Sequence, residues 1–243
     1  MIRRPGLPRM TAMIADEPTT APDGPVVPGV RNFRDAGGCG HLPRGVLYRS
    51  GALDRLTPDG ARALLDLGVR TVLDLRSTPE TAARPDALDG TGIRHLHVPV
   101  FAEQRWPEDP AELYPLMAEL AGRPTVAALR ALLTADRRAV LVHCASGKDR
   151  TGVVVALLQS LLGAGEPEIL ADFLHSNAAL GLTAPDPAVP GHATRPVAAV
   201  HLRRALLSVR SHHGTLDEHL RAHGARTSEL LALRAEFRTA DCP

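Results

Sequence analysis

The stretch that determines the fold of this chain is residues 139–162, which read AVLVHCASGKDRTGVVVALLQSLL. Its first four residues are apolar and include β-branched valines, which predicts a buried strand. The apolar run of residues 153–162 predicts a buried helix, and Gly163 after it is typical of a helix C-terminus. The stretch therefore predicts a strand, a polar glycine-containing loop and a helix in direct succession.

The loop contains a cysteine and an arginine in the pattern Cys-x5-Arg, Cys144 and Arg150. A loop that ends on a helix N-terminus binds anions, because backbone N–H groups converge there with the positive end of the helix dipole. The same positive field favours the thiolate form of a cysteine, and a guanidinium can bind two phosphate oxygens. We therefore expect a phosphate-binding loop with a nucleophilic Cys144. An ordinary connection with a buried, inert cysteine is the alternative.

The other loop residues are expected to surround the phosphate: Ala145, Ser146, Gly147, Lys148, Thr151 and Gly152. The hydroxyl of Thr151 can approach the cysteine sulfur and help it to leave. Lys148 is the only lysine among the 28 basic residues of the chain. An ammonium is a compact charge suited to a second phosphate or an acidic head group, and chance retention of a single lysine is the less favoured alternative.

The composition is that of one globular domain rather than of a nucleic-acid-binding or disulfide-stabilised protein. The chain has 243 residues, 44% of them hydrophobic, and a formal net charge of +1. This length suffices for one buried core, and the near-neutral charge argues against nucleic acid as a partner. Three scattered cysteines are too few for a disulfide framework or a zinc site.

The N-terminal residues 1–28 are rich in Pro, Thr, Ala and Asp and are predicted to form a disordered arm without a secretory signal. No run reaches the ~18 apolar residues of a membrane span, so no stable membrane insertion is expected. We expect residues 29–243 to form a single domain. The expected location is the cytoplasm, and export without a signal sequence is the alternative. The sequence does not indicate an oligomeric state.

Predicted strands and helices alternate along the chain. Residues 57–67 carry a Thr N-cap and Pro at the first helical position, which predicts a helix ending at Gly68. Residues 69–75 and 93–100 predict two further strands. Two helical segments follow within residues 111–134, separated by a Gly-Arg-Pro break, and more helices fill the C-terminal third. This order predicts an α/β fold with a mostly parallel sheet and a ligand at the C-terminal ends of its strands.

Residues 143–152, HCASGKDRTG, resemble the signature loop of the cysteine-dependent phosphatases, and more narrowly that of the atypical bacterial tyrosine/lipid phosphatases. Four further stretches match that family: residues 32–38 (NFRDAGG), 47–50 (LYRS), 74–77 (DLRS) followed by Glu80, and 169–177 (ILADFLHSN). The resemblance covers about residues 27–238.

The resemblance implies a tyrosine-phosphatase-like α/β fold and a two-step reaction that needs no metal or other cofactor. Cys144 would attack phosphorus, and water would hydrolyse the phosphocysteine. Arg150 would hold the phosphoryl oxygens through the transition state, and His143 would position and tune the thiolate. The implied substrates are phosphotyrosine in a phosphorylated protein, phosphoinositides, or both. A helical lid over about residues 107–135 is also implied, although plain core-packing helices fit the same pattern.

The general acid has three candidates. Asp149 lies inside the loop, where an ionised carboxylate would repel a phosphate dianion, and the resemblance implies acid catalysis there. Asp74, at the C-terminal end of a neighbouring strand, is either an acid or a positioning group for Arg76 or Arg150. Residues 106–109, Trp-Pro-Glu-Asp, resemble the acid loop of classical tyrosine phosphatases. However, Glu108 takes the place of the acid and Asp109 follows it, so a surface lead-in to the lid is the preferred interpretation.

Two other functions and one other site are weighed against this hypothesis. A catalytically silent phosphate-binding module has no need of a nucleophilic thiol, and the His-Cys-x5-Arg-Thr spacing disfavours a sulfur transferase. His219 and His223 are four residues apart and form a candidate metal pair. We expect instead a solvated last helical turn ended by Gly224, and hence no metal.

Overall fold

The computed structural model describes residues 24–103, 105–134, 139–184 and 194–238. Within them a five-stranded sheet has the strand order β1-β2-β5-β3-β4. The strands are β1 (Arg34–Asp35), β2 (Leu47–Ser50), β3 (Val69–Asp74), β4 (Arg94–His97) and β5 (Ala139–His143). β1 is antiparallel to β2, and every other neighbouring pair is parallel. The predicted mostly parallel sheet is confirmed.

Helices cover both faces of this sheet. They are α1 (Pro58–Asp66), α2 (Thr78–Ala83), α3 (Pro110–Leu120), α4 (Gly122–Thr134), α5 (Asp149–Leu161), α6 (Glu166–Ala179), α7 (Ala199–His213), α8 (Leu216–Ala222) and α9 (Thr227–Arg238). Among the described residues, no helix combines the length and the apolar character that a membrane crossing requires.

β5 lies at the centre of the sheet, and all five of its residues are buried. Successive side chains of a strand point to opposite faces. Ala139 and Leu141 therefore pack in a smaller core cluster with α1, whereas Val140 and Val142 pack in a larger cluster. That larger cluster contains most of α5, so the helix after the loop is enclosed between the sheet and the outer helices.

The strands β2, β3 and β5 end at one edge of the sheet. In the strand register, Ser50 and Asp74 both lie opposite His143, the last residue of β5. The carboxyl ends of parallel strands are where open α/β sheets bind ligands. Residues that are far apart in sequence but follow these three strands therefore meet beside Cys144.

Most predicted elements are confirmed, with differences at their ends. Thr57 caps α1 and accepts a hydrogen bond from the N–H of Gly60 at 3.1 Å. β4 is shorter than the predicted residues 93–100 because it lies at the sheet edge, where only β3 pairs with it. α4 begins at Gly122, so Pro124 lies in its first turn, where a missing N–H leaves no hydrogen bond unmade.

The predicted N-terminal arm is only partly described. Residues 1–23 lie outside the described residues, but Val27, which the prediction places in the arm, is buried in the smaller core cluster.

The segment expected to form a lid contains α3 and α4, and both contribute many buried side chains to the larger cluster. α3 also packs along α7. This packing favours the alternative interpretation of core helices.

Candidate active site

The predicted loop connects β5 directly to α5. Cys144 follows the last residue of the strand, and its Sγ accepts a hydrogen bond from the backbone N–H of Gly147 at 3.3 Å. Gly147 has a φ of +72°, and a Cβ at this position would lie 2.2 Å from the carbonyl oxygen of Ser50. Glycine is therefore required here both for its backbone conformation and for its lack of a side chain.

Three consecutive carbonyl groups of the loop point outward. The carbonyl of Ala145 accepts a backbone N–H at 3.1 Å, and that of Ser146 accepts the side-chain amide of Asn32 at 3.0 Å. The carbonyl of Gly147 accepts the guanidinium of Arg49 at 2.8 Å. In a planar trans peptide the N–H points opposite to the C=O. The N–H groups of the three following residues consequently point into the loop, where an anion would bind.

A buried ion-pair network holds this outer side of the loop. Arg49 contacts Asp172 of α6 at 2.5 Å, and Arg34 donates to the other oxygen of the same carboxylate at 2.7 Å. Burial alone would raise the pKa of Asp172, but the two guanidinium groups outweigh it and lower that pKa. Together with Asn32, these residues come from three of the stretches that carry the family resemblance, so those stretches meet at the loop.

Arg150 has a carboxylate partner that the loop itself does not contain. Its Nη1 and Nη2 lie 2.6 and 2.9 Å from the two carboxylate oxygens of Glu80, in α2. The Cζ atom of Arg150 also lies 5.3 Å from the ring centroid of Trp106. These contacts fix the plane of the guanidinium and leave its remaining N–H groups for a phosphate.

The charges of this pair stabilise each other. Burial alone would raise the pKa of Glu80, but its hydrogen bonds with Arg150 outweigh burial and lower the pKa to about 2. Burial opposes the charge on Arg150 as well, yet the hydrogen bond with Glu80 and the nearby Cys144 raise the pKa of Arg150 above its ordinary value. Both groups are therefore charged across the physiological range.

Asp149 is held by a tyrosine from α3. The hydroxyl of Tyr114 donates to Asp149 Oδ1 at 2.6 Å, and the ammonium of Lys148 lies 3.6 Å from Oδ2. Burial, followed by the neighbouring Asp149, raises the pKa of Tyr114 well above its ordinary value, so the phenol remains a donor. Lys148 is itself buried and also donates to the carbonyl of Arg195. Its ammonium is thus engaged inside the protein rather than extended towards a second phosphate.

The helical end of the loop is packed tightly. Thr151 is buried, and its hydroxyl has no hydrogen-bond partner within the described residues, so the predicted contact with the sulfur of Cys144 is not formed. The N–H of Gly152 donates to the carbonyl of Lys148 at 3.0 Å, as part of the helix. A Cβ at Gly152 would lie 2.6 Å from the ring of Phe173, so this glycine allows α6 to approach α5.

His143 and Asp74 belong to a second network on the other side of the loop. Nε2 of His143 lies 2.9 Å from an oxygen of Asp86, and Nδ1 lies 3.3 Å from the carbonyl of Cys144. Asp74 is fully buried and accepts hydrogen bonds from the backbone N–H of Arg76 at 2.9 Å and from its guanidinium at 2.7 Å. His95 completes the network, 3.3 Å from Asp86.

The pKa shifts in this network favour a positioning role for Asp74. Burial alone would raise its pKa, but the neighbouring His95 and Arg76 outweigh burial and lower it. Burial would also raise the pKa of Asp86, but the neighbouring His143 and His95 outweigh it and lower that pKa to about 2. A carboxylate held ionised by a buried arginine is poorly suited to donate a proton.

The third acid candidate is used by the fold. The carboxylate of Asp109 is the N-cap of α3 and accepts the backbone N–H of Ala111 at 2.8 Å. The neighbouring Trp106 packs against Phe101, with 5.5 Å between ring centroids. The carbonyl of Glu108 accepts a hydrogen bond from Arg195 at 3.2 Å. These contacts agree with a lead-in to a helix rather than with a free acid loop.

Two openings flank the loop. A crevice of about 50 Å³ is lined by Phe101, Trp106, Leu113, Met117, Asp149 and Arg150. A larger cleft of about 510 Å³ is lined by Gly29, Val30, Arg31, Ala52, Asp54, Arg55, Arg84 and Ala145. The larger opening, hereafter the arginine cleft, carries three arginines against one aspartate and reaches the residue next to Cys144.

Several residues that contact the site were not predicted from the sequence. Glu80 follows a stretch that resembles the family, but no role was predicted for it, and neither Tyr114 nor Asp86 was predicted as a site residue. Glu80 lies 70 residues from Arg150, and Tyr114 lies 35 residues from Asp149. The position of Glu80 in a matched stretch was a usable signal, whereas nothing local distinguishes the other two.

Comparisons with curated proteins find phosphatases of similar sequence. Triple specificity protein phosphatase PtpB of Mycobacterium tuberculosis is 35% identical over 189 residues, which are 62% of this chain and 68% of that protein. A tyrosine-protein phosphatase of Nostoc commune is 29% identical over 176 residues, which are 68% of this chain and 59% of that protein.

Solved structures give weaker likenesses. TpbA of P. aeruginosa is 22% identical with a TM-score of 0.41, covering 74% of this chain and 88% of that chain. The core catalytic domain of the PP-IP phosphatase SIW14 of S. cerevisiae is 21% identical with a TM-score of 0.40. The match covers 62% of this chain and 78% of that chain. A family model described as the tyrosine phosphatase family matches residues 25–239. Since that match spans nearly all of the sequence, the chain belongs to the tyrosine phosphatase family.

Proposed function

We propose that this protein is a metal-independent phosphomonoesterase that works through a phosphocysteine at Cys144. The observation that carries the proposal is the loop itself. Its backbone N–H groups point inward around a buried cysteine, while its carbonyls are bound outside by Asn32 and Arg49. Donors that are fixed before the substrate arrives stabilise transition-state charge without reorganisation, which is where electrostatic catalysis is strongest.

In the first step, the Cys144 thiolate attacks phosphorus and forms an S–P bond while the bond to the leaving oxygen breaks. Arg150, oriented by Glu80, binds the equatorial oxygens together with the loop amides. Asp149 supplies the proton that the leaving oxygen takes up.

In the second step, water attacks the phosphocysteine. Asp149, now ionised, accepts a proton from this water, the S–P bond breaks, and the electron pair returns to sulfur as the thiolate. Inorganic phosphate is released and the resting state is restored. His143 stays a positioning residue throughout, because its ring contacts the Cys144 backbone and Asp86 rather than the interior of the loop.

The substrates of the proposed reaction are phosphotyrosine and phosphoinositides. The arginine cleft supports the second class, because it places Arg31, Arg55 and Arg84 beside the phosphate loop. Among the described residues, no hydrogen bond or ion pair engages the side chains of Arg31 and Arg55. Additional phosphates on an inositol ring can therefore bind there while one phosphate occupies the loop.

The test measures phosphate release from an aryl phosphate, from phosphotyrosine, phosphoserine and phosphothreonine peptides, and from soluble phosphoinositides, all with EDTA present. Wild type is compared with Cys144→Ser and with Cys39→Ser, which changes a cysteine outside the loop. We expect chelator-resistant turnover that is abolished only in Cys144→Ser. Rapid quenching of the wild type should also trap phosphate on Cys144.

Vanadate binding without turnover on any of these substrates would overturn the proposal and favour a silent phosphate-binding module. Turnover that persists in Cys144→Ser would show that another group is the nucleophile.

A further inference from the structure

Four titratable side chains meet at a point where three helices end, outside the phosphate loop. Glu119 lies in the last turn of α3, His213 ends α7, and His219 and His223 lie on and just after α8. Nε2 of His213 is 2.8 Å from Glu119 Oε2, and Nε2 of His223 is 3.5 Å from Glu119 Oε1. The rings of His219 and His223 are 4.5 Å apart between centroids.

His219 is the least expected member of this cluster. The prediction of a solvated turn is wrong for it, because its residue exposure is 0%. Neither of its ring nitrogens has a hydrogen-bond partner within the described residues, and Nδ1 lies 3.9 Å from Glu119 Oε2. A buried polar group without a partner costs stability, so a buried imidazole with two unmatched nitrogens calls for a ligand.

His223 is oriented with its other nitrogen towards the same point. Its Nδ1 lies 2.9 Å from the carbonyl of His219, and since a carbonyl only accepts, Nδ1 carries the hydrogen. In the neutral ring, Nε2 then presents a lone pair to the carboxylate of Glu119. A lone pair facing a carboxylate is repulsive unless a proton or a metal cation lies between them, and a ring N–H bound to a carbonyl is the usual arrangement of a metal-bound histidine.

The backbone beside the cluster is shaped to admit the ring of His223. A Cβ at Gly122 would lie 2.3 Å from Cγ of His223. Any larger residue at the start of α4 would push this imidazole out of its place. Glycine at position 122 therefore makes room for the ring of His223, in addition to beginning α4.

We propose that Glu119, His219 and His223 bind a divalent transition-metal ion of the zinc type, with His213 as a fourth ligand or as a hydrogen-bond donor to Glu119. Imidazole nitrogens and one carboxylate form a donor set that suits Zn²⁺. The ligand atoms of Glu119, His219 and His223 all lie within 4.8 Å of one another. In a tetrahedral zinc site this separation is about 3.3 Å, so small side-chain rotations complete the site.

The ion would have a structural role. It would join the C-terminal end of α3 to α8, and α3 carries Tyr114, the hydrogen-bond donor to the proposed acid Asp149. Glu119 lies five residues after Tyr114, which is about 7.5 Å along a helix. The ion is therefore separate from the reacting atoms, and the proposed reaction does not pass through it.

The experiment uses the full chain without a histidine tag and in a Cys144→Ser background, which removes the loop thiolate as a competing zinc ligand. Metal-free protein is titrated with Zn²⁺ by calorimetry, and Co²⁺ is added separately to read the coordination geometry from its visible absorption. The variants are Glu119→Gln and His223→Gln. The controls are His212→Gln, an exposed neighbour on α7, and His95→Gln in the network behind the loop.

We expect one Zn²⁺ per chain, a rise in Tm of about 5 °C at a large excess of free zinc over Kd, and a tetrahedral Co²⁺ spectrum. Each cluster variant should lose at least 10-fold in zinc affinity, as metal-site changes commonly do, while both controls bind as the parent does. Circular dichroism of the metal-free variants checks that they remain folded.

Stoichiometric binding that is unchanged in Glu119→Gln and His223→Gln would overturn the proposal, as would the absence of binding by the folded parent. In either case the contacts of Glu119 with His213 and His223 hold the cluster together without a metal. Loss of binding only in His95→Gln would place the site behind the loop instead.

Discussion

At the scale of single residues, each proposed catalytic side chain is held by a specific partner. Arg150 is oriented by Glu80 and Asp149 by Tyr114, which both come from other elements, and Cys144 is held by the amide of Gly147 in its own loop. Held side chains lose little freedom when substrate binds, which is the physical basis of preorganisation. Substitution of the partner therefore tests a role without removal of the reacting group.

The roles of Asp149 and Tyr114 can be separated by the leaving group. Asp149→Asn should lower kcat/KM, which reports the first step, by ~10²–10⁴-fold on an alkyl phosphate, whose leaving group needs a proton, and much less on an activated aryl phosphate. Tyr114→Phe should cause a smaller loss with the same substrate dependence, together with a changed pH profile of kcat/KM. The measurement is kcat/KM for both substrates between pH 5 and 8.

Tyr48→Phe is the matched control, since Tyr48 stacks on Phe33 at 5.3 Å and does not contact Asp149. An equal loss of kcat/KM on both substrates in Asp149→Asn would contradict acid catalysis by this residue in the first step.

At the scale of elements, β3, β4 and β5 place a charged network behind the loop. The neighbouring carboxylates of Asp74 and then Asp86 raise the pKa of His95 to about 9. A proton bound more tightly in the folded state stabilises that state. This contribution is fully present below pH 6.5, the ordinary pKa of histidine, and is lost as the pH rises through 9.

His95→Gln should therefore cost most stability at pH 6 and progressively less as the pH approaches 9.5. The measurement is the urea midpoint of wild type and variant at pH 6, 7.5 and 9.5, with His212→Gln as an exposed control. A difference between wild type and variant that grows with pH would contradict the proposed sign.

The elements themselves were largely predictable from the sequence, because their signals are local. The strand–loop–helix unit of residues 139–162 and the cap at Thr57 each depend on neighbours within a few residues. The pairs Arg150–Glu80 and His143–Asp86, and the burial of His219, depend on how distant elements pack. A sequence pattern does not carry that information, and for this reason the cysteine and arginine were predicted but their partners were not.

At the scale of the whole molecule, the formal net charge is only +1, but positive charge is concentrated in the arginine cleft. The arginine cleft lies beside the loop, so substrates with several phosphates should gain affinity there. Replacement of both Arg31 and Arg55 by Gln should raise KM for a soluble phosphoinositide by roughly 3- to 30-fold. This range follows because an exposed ion pair contributes up to about 1 kcal/mol to binding, and two such pairs would be lost. KM for an aryl phosphate should change little.

Steady-state kinetics at two salt concentrations measure this effect, because screening should reduce it. Arg62→Gln is the control, since Arg62 is an exposed arginine of α1 whose partner is Asp59. Equal changes for both substrates would show that the cleft does not select polyphosphorylated head groups.

The outward-facing carbonyls of the loop have a consequence for the protein in its cell. A cradle that is complete before any ligand arrives recognises the tetrahedral oxyanion, not the group esterified to it. Free orthophosphate, which is the product, therefore fits the same cradle as the substrate. Product inhibition follows from the architecture, and the rate of such an enzyme depends on the ambient phosphate supply as well as on its substrate.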